Sequence, residues 1–266
     1  MAAGSILNNI SAIAASRTLG VTQSGLETTI RRLTTGARIN KAQDDAAGLA
    51  ISNRLGADIR ISAQARRNAY DGIAYLQVGD GALEEVTNLL TRAAELTQQA
   101  ATGTISSTNR QALDLEFQVI SAAINNVAAN ATFNATSIFT STSIEVAVAG
   151  FTPIGITVGT MTANLSGHSV TDVASARAAA TYLDDAIQSI SMQRASIGAS
   201  QQSLNTLANT LGIQVENFTA ASSQIKDANI ADEVINLTKF QILTQSGTSA
   251  LGQSNQAAQS ILGLIR

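Results

Sequence analysis

The feature that most constrains this chain is a seven-residue repeat of apolar residues in its C-terminal half. The repeat comprises Leu183, Ile190, Ile197, Leu204, Leu211, Phe218 and Ile225. Apolar residues at this spacing predict a helix that packs lengthwise against other helices. The pattern lies within Val173 to Lys226, and at about 1.5 Å per residue such a helix would run roughly 80 Å. We therefore expect a rod built from long helices.

The composition allows long helices on both sides of the middle of the chain. Pro153 is the single proline, so little interrupts a helix elsewhere. Aromatic residues make up only 3% of the 266 residues, so Ala, Leu, Ile and Val must form most of the core. A spacing of four and three residues recurs at Leu113, Phe117, Ile120, Ile124 and Val127. It predicts another helix of the rod, after a Gly-, Ser- and Thr-rich turn at 101–110.

The period changes to two in the middle of the chain. Alternating apolar residues occur at Ile144, Val146 and Val148, and again at Ile154, Ile156 and Val158 after the sequence GFTP. Alternation on both sides of a turn with Gly and Pro predicts a β-hairpin. The predicted fold is thus mainly α, a long antiparallel helical rod or coiled coil with a small β-hairpin region in the middle.

The two ends carry weaker seven-residue repeats. Near the N-terminus the repeat comprises Leu19, Leu26 and Leu33. Near the C-terminus it comprises Leu243, Ala250, Ala257 and Leu264, with Phe240 and Ile261 on the adjacent row. Helices with so few large side chains depend on tertiary packing. We expect the two ends to pair with each other and to need further neighbours.

The residues with reactive side chains do not form a pattern typical of an enzyme. Cysteine is absent, which excludes disulfides and thiolate metal sites. His168 is the single histidine, whereas a zincin motif needs two. The adjacent acids Asp44–Asp45 and Asp184–Asp185 are interpreted as solvated or salt-bridged. We expect no catalytic residue, no bound cofactor and no metal.

Charge and hydropathy bear on the partners of the chain. A net charge of -3 and a pI near 5.2 give no electrostatic reason to expect nucleic-acid binding. No stretch approaches the roughly 18 apolar residues of a membrane span, so we expect no membrane insertion. The first residues, MAAGSILNNISAIAAS, lack the basic region and unbroken apolar run of a secretory signal. Any export is therefore expected to proceed without a cleaved signal peptide.

Two long segments resemble a known family. The sequence LTTGARINKAQDDAAGLAISNRL from Leu33 to Leu55 resembles the N-terminal signature of bacterial flagellin. The sequences IADEVINLTKFQILTQSG and GTSALGQSNQAAQSILGLIR, near and at the end of the chain, resemble the flagellin C-terminus. The resemblance covers about residues 1–134 and 173–266. It indicates a short flagellin that lacks large outer domains.

The resemblance implies a domain organisation. Residues 1–40 and 230–266 would form the inner coiled-coil domain. Residues 41–130 would supply N-terminal helices of the rod domain, 131–172 its β-hairpin and loops, and 173–229 its long C-terminal helix. The chain would be a structural, non-enzymatic subunit that polymerises into the flagellar filament for swimming motility. The alternative is a hook-filament junction protein of the flagellum.

The resemblance and the spacings together indicate candidate assembly residues. The inner coiled-coil candidates are Ile6, Ile10, Ile13, Leu19, Leu26, Ile30, Leu33, Phe240, Leu243, Leu251, Ile261, Leu264 and Ile265. The rod seam consists of the seven residues of the repeat that begins at Leu183. Arg92, Leu96, Gln99 and Glu116 match the flagellin surface read by Toll-like receptor 5, and would also lie between subunits. Ser141, Thr142 and Ser143 are candidate glycan sites in a hydroxyl-rich loop.

The partners follow from the resemblance as well. We expect a helical homo-oligomer of many copies, in contact with flagellar cap and hook-associated proteins. A cytoplasmic export chaperone would bind the C-terminal helix, and the flagellar type III export apparatus would secrete the unfolded chain. In a host, Toll-like receptor 5 would recognise the monomer. The expected location is extracellular, in the flagellar filament.

Overall fold

The computed structural model describes residues 9–140, 143–148, 152–161 and 163–264. Its helices are α1 (Ile10–Thr35), α2 (Ala46–Ala100), α3 (Ser107–Asn130), α4 (Val173–Lys226) and α5 (Ile230–Leu264). Between α3 and α4 lie β1 (Thr132–Phe133), β2 (Thr136–Ser137), β3 (Ile144–Val146) and β4 (Ile154–Ile156). The chain forms two compact units. One contains Ile59–Glu216, and the other contains the residues up to Asp58 together with those from Asn217 onward.

In the unit of Ile59–Glu216, α2 and α4 run antiparallel. Nε of Arg194 on α4 donates a hydrogen bond to Oδ1 of Asp80 on α2 at 2.8 Å. Closer to the start of α2, Gly72 faces Leu204, which lies closer to the end of α4. α3 turns back after a short loop, which Arg110 stabilises by donating from Nε to the carbonyl oxygen of Ala100 at 2.9 Å.

The core of this unit is mainly aliphatic, as the composition predicts. Its largest fully buried side chains include Leu76, Leu83, Leu90, Phe117, Ile124, Leu183 and Ile190. Burying one such side chain stabilises a fold by about 1.5–3 kcal/mol relative to leaving it exposed. The three long helices of the unit therefore owe their stability mainly to the apolar faces that they share.

The predicted β-hairpin is formed by β3 and β4. The two strands are antiparallel, with Ile144 opposite Ile156 and Val146 opposite Ile154. Val146 and Ile156 are buried. Both approach Gly72 of α2, where the missing side chain leaves them room.

A second, smaller ladder between β1 and β2 is not predicted from the sequence. Asn134 and Ala135 form its two-residue connection with φ angles of 49° and 61°. Positive φ at both positions suits the twist of a tight hairpin, and glycine usually occupies the second one. Asn-Ala lacks that glycine, so the usual sequence signal of such a turn is missing.

In the other unit, α1 and α5 form an antiparallel pair. Gly36 ends α1 with a φ of 68°. The residues around this glycine form backbone hydrogen bonds with the short segment that connects α4 and α5. The N–H of Arg38 donates to the carbonyl oxygen of Lys226 at 2.6 Å, and the N–H of Ala228 donates to the carbonyl oxygen of Gly36 at 2.9 Å. These two bonds hold the end of α1 beside the start of α5.

The adjacent acids Asp44 and Asp45 hold the start of α2. Oδ1 of Asp45 accepts a hydrogen bond from the N–H of Gly48 at 2.8 Å, as the N-cap of a helix does. Oδ2 of Asp44 accepts from the N–H groups of Lys41 and Asn40 at 2.9 and 3.1 Å. These bonds hold the pKa of Asp44 below its usual range. Our interpretation of this pair as solvated or salt-bridged side chains misses their role in the backbone turn.

The predicted fold class is confirmed. The helix expected over Val173 to Lys226 has the bounds of α4, and the alternating segments contain β3 and β4. The predicted domain limits, after residues 40, 130, 172 and 229, stay predictions.

Candidate assembly surface

The α1–α5 pair is the candidate assembly surface, and its two helices meet along a defined set of contacts. Nη1 of Arg32 lies 3.0 Å from Oε1 of Glu233. A β-carbon added to Gly25 would lie 2.7 Å from the ring of Phe240. At the far end, Nδ2 of Asn9 donates to the carbonyl oxygen of Ser254 at 3.2 Å.

The row of α5 that faces α1 differs from the one that the spacing predicts. The less exposed row comprises Glu233, Leu237, Phe240, Thr244, Gly247, Leu251 and Ser254. Leu243, Ala250 and Ala257, predicted as the seam, are exposed. The small residues decide this arrangement, because Gly247 allows Leu19 of α1 to approach its backbone closely.

The pair leaves many of its aliphatic side chains in contact with solvent. The exposed ones are Ile10, Ile13, Val21 and Ile30 on α1 and Ile230, Val234, Ile235, Ile242 and Leu243 on α5. Ile13, Ile235 and Ile242 each expose about 60% or more of their surface. Val234, Ile235, Ile242 and Leu243 line one shallow apolar groove with Thr238 and Lys239. Contiguous exposed apolar surface of this kind marks an interaction site.

The inner coiled-coil candidates divide into two groups. Leu19, Leu26, Leu33, Phe240 and Leu251 are half-buried within the pair. Ile10, Ile13, Ile30 and Leu243 are exposed. Ile6 and Ile265 lie outside the described residues, as do the side chains of Ile261 and Leu264.

The rod seam candidates lie along α4. Leu183, Ile190, Ile197, Leu204 and Leu211 are buried. Phe218 and Ile225 are half-buried.

The candidate receptor residues lie around an ion-pair cluster on α2 and α3. Nη2 of Arg92 lies 2.7 Å from Oε1 of Glu116, and Nη1 lies 2.9 Å from Oε2 of Glu95. The hydrogen bond to Glu116 is the main cause that raises the pKa of Arg92. Gln99 is exposed, whereas Leu96 is 1% exposed and belongs to the core.

The candidate glycan positions, metal sites and membrane spans remain to be placed. Ser143 is exposed just before β3, and Ser141 and Thr142 lie outside the described residues. Within the described ranges, no group of three His, Asp or Glu side chains is placed to hold a metal ion. In the same part of the chain, no helix has both the length and the hydropathy that a bilayer crossing requires.

Comparison with known protein families identifies the family of the chain. The bacterial flagellin N-terminal helical region matches residues 6–143, and the bacterial flagellin C-terminal helical region matches residues 180–265. The chain belongs to the bacterial flagellin family.

Curated relatives match this flagellin over nearly its whole length. The flagellar filament 33 kDa core protein of Treponema phagedenis is 37% identical, with 98% of this chain and 99% of the relative aligned. Flagellin FlaB2 of Treponema pallidum has the same identity and coverage. A flagellin of Halalkalibacterium halodurans is 33% identical over 98% of this chain and 99% of its own.

Solved structures share the fold of this flagellin. The crystal structure of Bacillus cereus flagellin matches with a TM-score of 0.52 and 29% identity, over 59% of this chain and 94% of that one. A putative flagellar hook-associated protein from Vibrio parahaemolyticus matches with a TM-score of 0.61 over 69% of this chain and 100% of that one. At 15% identity, the second match bears on the fold alone.

Two polar contacts of this flagellin are not predicted from its sequence. Arg32 pairs with Glu233 across 201 positions of the chain. Arg194 pairs with Asp80 across 114 positions. The only local signal is that Glu233 stands seven residues before Phe240, on the same helical row.

Proposed function

We propose that this flagellin is a structural, non-enzymatic subunit that polymerises into the bacterial flagellar filament and serves swimming motility. The filament proteins among its relatives support the proposal. The observation that carries it is the incomplete burial of α1 and α5. Two helices that leave so many aliphatic side chains exposed need further helices to cover them.

Other copies of the same chain are the proposed cover. The α1 and α5 helices of neighbouring subunits would pack into a coiled coil, with Ile10, Ile13 and Ile30 on one helix and Ile235, Ile242 and Leu243 on the other at the contacts. Burying one such side chain contributes about 1.5–3 kcal/mol. Since every subunit repeats the contact, a small loss at one position weakens the whole polymer.

Electron microscopy and sedimentation test this proposal. Purified chain, polymerised by added salt, should give long tubular filaments above a threshold concentration. The variant Ile242→Gln should raise that threshold at least about tenfold, because about 1.4 kcal/mol corresponds to a factor of ten. Filaments of Ile242→Gln at the wild-type threshold would contradict an interface at this face.

The variant Gln241→Asn is the matched control for this experiment. Gln241 is the exposed neighbour on the same helix and stays polar. The control should polymerise like the wild-type chain, and far-UV circular dichroism should give the same helix content for both variants. Short oligomers of the wild-type chain, without filaments, would favour the alternative of a hook-filament junction protein.

The route to the filament is part of the proposal. The chain would leave the cell unfolded through the flagellar type III export apparatus and assemble at the tip, beneath the cap and beyond the hook-associated proteins. With no cysteine and one proline, it has no disulfide to reduce and little slow isomerisation to wait for. Before secretion, a cytoplasmic export chaperone would cover the apolar side chains of the α5 segment, in the way that a hydrophobic groove receives the apolar face of a helix.

Recognition of the monomer by Toll-like receptor 5 is a separate proposal. Arg92, Gln99 and Glu116 are exposed and available to a partner. Leu96 is buried, so its contribution would be to hold α2 in place rather than to touch the receptor. A cell reporter assay with purified monomer should respond to wild type and less to Arg92→Ala. No response to wild type would reject the proposal.

A further inference from the structure

The aliphatic residues of α1 do not by themselves fix its position along α5. Leu19, Leu26 and Leu33 are seven residues apart. If α1 moved along α5 by one repeat, Leu26 would take the place of Leu19 and Leu33 that of Leu26. A regular heptad pattern tolerates such a shift unless other residues oppose it.

Gly25 and Phe240 oppose a shift by their sizes. A β-carbon on Gly25 would lie 2.7 Å from Cε1 and Cζ of Phe240, so the ring occupies space that only glycine leaves free. The residues one repeat away on α1 are Thr18 and Arg32. A shift in either direction would press the ring against one of these larger side chains.

Arg32 and Glu233 oppose a shift by their charges. Glu233 is 7% exposed, and its Oε1 atom receives the hydrogen bond from Arg32 at 3.0 Å. Its Oε2 atom is buried with no hydrogen-bond partner among the described residues. One repeat away from Arg32 on α1 are Gly25, which has no side chain, and Ile39, which lies beyond the helix. A shift would therefore leave a buried carboxylate without its cation, which is strongly destabilising.

We infer that the Arg32–Glu233 ion pair and the Gly25–Phe240 contact set the register of α1 on α5. Both are positioning contacts, since they act by deciding which part of α1 lies beside which part of α5. The inference rests on the proposed function in one respect: the register also decides which exposed aliphatic side chains are presented together to neighbouring subunits. A single polar pair in a helical seam often has this role, at some expense of stability.

Introduced cysteines can report the register, because the chain contains none of its own. A β-carbon on Gly247 would lie 3.9 Å from Cβ of Leu19, within the roughly 3.5–4.5 Å that a disulfide requires. The pair Leu19→Cys with Gly247→Cys therefore reports the observed register. The pairs Leu26→Cys with Gly247→Cys and Ala12→Cys with Gly247→Cys report a shift of one repeat in either direction.

The readout is the rate of intrachain disulfide formation in the full chain, both soluble and sedimented as polymer. Non-reducing gels separate intrachain bridges, which keep the monomer mass, from bridges between subunits. The 19–247 bridge should form at least about tenfold faster than either shifted bridge, a ratio equivalent to a clear preference for one register. Equal rates, or no 19–247 bridge in either sample, would overturn the inference.

Charge reversal tests whether the ion pair sets the register or only adds stability. Introduced into each of the three cysteine-pair chains, Glu233→Arg should reduce the preference for the observed register at least about tenfold, because two cations would then be opposed. The double variant Arg32→Glu with Glu233→Arg should restore it. Equal slowing of all three bridges, with an unchanged ratio between them, would mean that the pair only stabilises the helices and would overturn its role in register.

Matched variants control for the change of charge and of helix propensity. Asp232→Arg makes the same charge reversal at the exposed neighbour of Glu233 and should leave the ratio unchanged. Gly25→Ala should lower the ratio, whereas Gly20→Ala, with no atom within 4 Å of the added β-carbon, should not. A fall of the ratio in either control as large as in its test variant would contradict the assignment.

Electron microscopy of the same samples separates this inference from the proposed function. A chain with the 19–247 preference but without filaments would retain the register and contradict filament formation. Filaments from a chain with no register preference would support filament formation and contradict the register inference.

Discussion

Cγ2 of Val146 lies 2.9 Å from the position that a β-carbon on Gly72 would occupy. Cδ1 of Ile156 and Cδ1 of Leu204 lie 3.1 and 3.2 Å from the same point. The hairpin and α4 thus both close on one glycine of α2. The absence of a side chain at position 72 is what allows these elements to meet.

Gly72→Ala should therefore destabilise the chain by about 1–3 kcal/mol, the usual result of overfilling a packed core. Gly81→Ala is the control on the same helix, because no atom lies within 4 Å of its added β-carbon. That variant should be more stable by about 0.5–1 kcal/mol, since alanine favours a helix over glycine. Urea unfolding measures both. Stabilisation of similar size at both positions would mean that the hairpin does not rest on Gly72.

The rod seam of α4 should respond to the loss of a single side chain. Ile190 is fully buried, so Ile190→Ala should reduce the free energy of unfolding by about 2–5 kcal/mol. Met192 is 68% exposed on the same helix, and Met192→Ala should change that free energy by less than about 0.5 kcal/mol. Equal losses at both positions would contradict the direction in which α4 faces its neighbours.

The stability of the first turn of α2 should depend on Asp45. Asp45→Ala removes the acceptor of the hydrogen bond from Gly48, and loss of such an N-cap costs about 0.5–2 kcal/mol. Gln43→Ala, at an exposed position in the same turn, should have little effect. Thermal unfolding followed by circular dichroism measures both. A destabilised Gln43→Ala with an unchanged Asp45→Ala would place the cap elsewhere.

Asp172 should make stability depend on pH at the start of α4. Its carboxylate accepts hydrogen bonds from the Ser175 hydroxyl and N–H and from the N–H of Ala174, which hold the pKa of Asp172 below its usual range. A lowered pKa in the folded chain contributes stability above about pH 3.9, where an unperturbed aspartate titrates, and the contribution disappears as pH falls through the lower folded value.

Comparison with Asp172→Asn isolates this contribution. The wild-type chain should be more stable than Asp172→Asn at pH 7, and the difference should shrink as the pH falls below about 4. Asparagine is also a good N-cap, so the helix itself should remain. Urea unfolding across this pH range measures the difference. A difference that stays constant with pH would mean that the carboxylate is not stabilised by these hydrogen bonds.

The sequence predicts the long helix α4 and the hairpin of β3 and β4 well, because the spacing of apolar residues reflects which face of each element is buried. The repeat that begins at Leu183 predicts the bounds of α4, and the alternation around Val146 and Ile156 predicts the hairpin. In both cases large aliphatic residues carry the signal. Asn134–Ala135 carries no such signal, and the ladder that it connects is missed.

The assembly surface is less predictable, for two physical reasons. Gly247 and Ser254 have no hydrophobic signal, yet their small size lets α1 approach, so the predicted row on α5 is displaced from the observed one. Arg32 and Glu233 meet across 201 positions, and neither residue reveals its partner. Sequence spacing identifies faces that are rich in large side chains, whereas close approach and charge pairing become visible only once the helices are placed.

The antiparallel pairing of α1 with α5 also bears on the order in which the chain can fold. Asn9 and Ser254 are bonded across 245 positions, so this pair closes a loop that contains almost the entire chain. Contacts of such high sequence separation form late, because closing the long loop between them costs conformational entropy before the contact itself adds stability. Local helices between Ile59 and Glu216 can form earlier from nearer partners. α1 can complete its pair only when α5 lies beside it, so we expect the pairing of α1 with α5 to follow the folding of Ile59–Glu216.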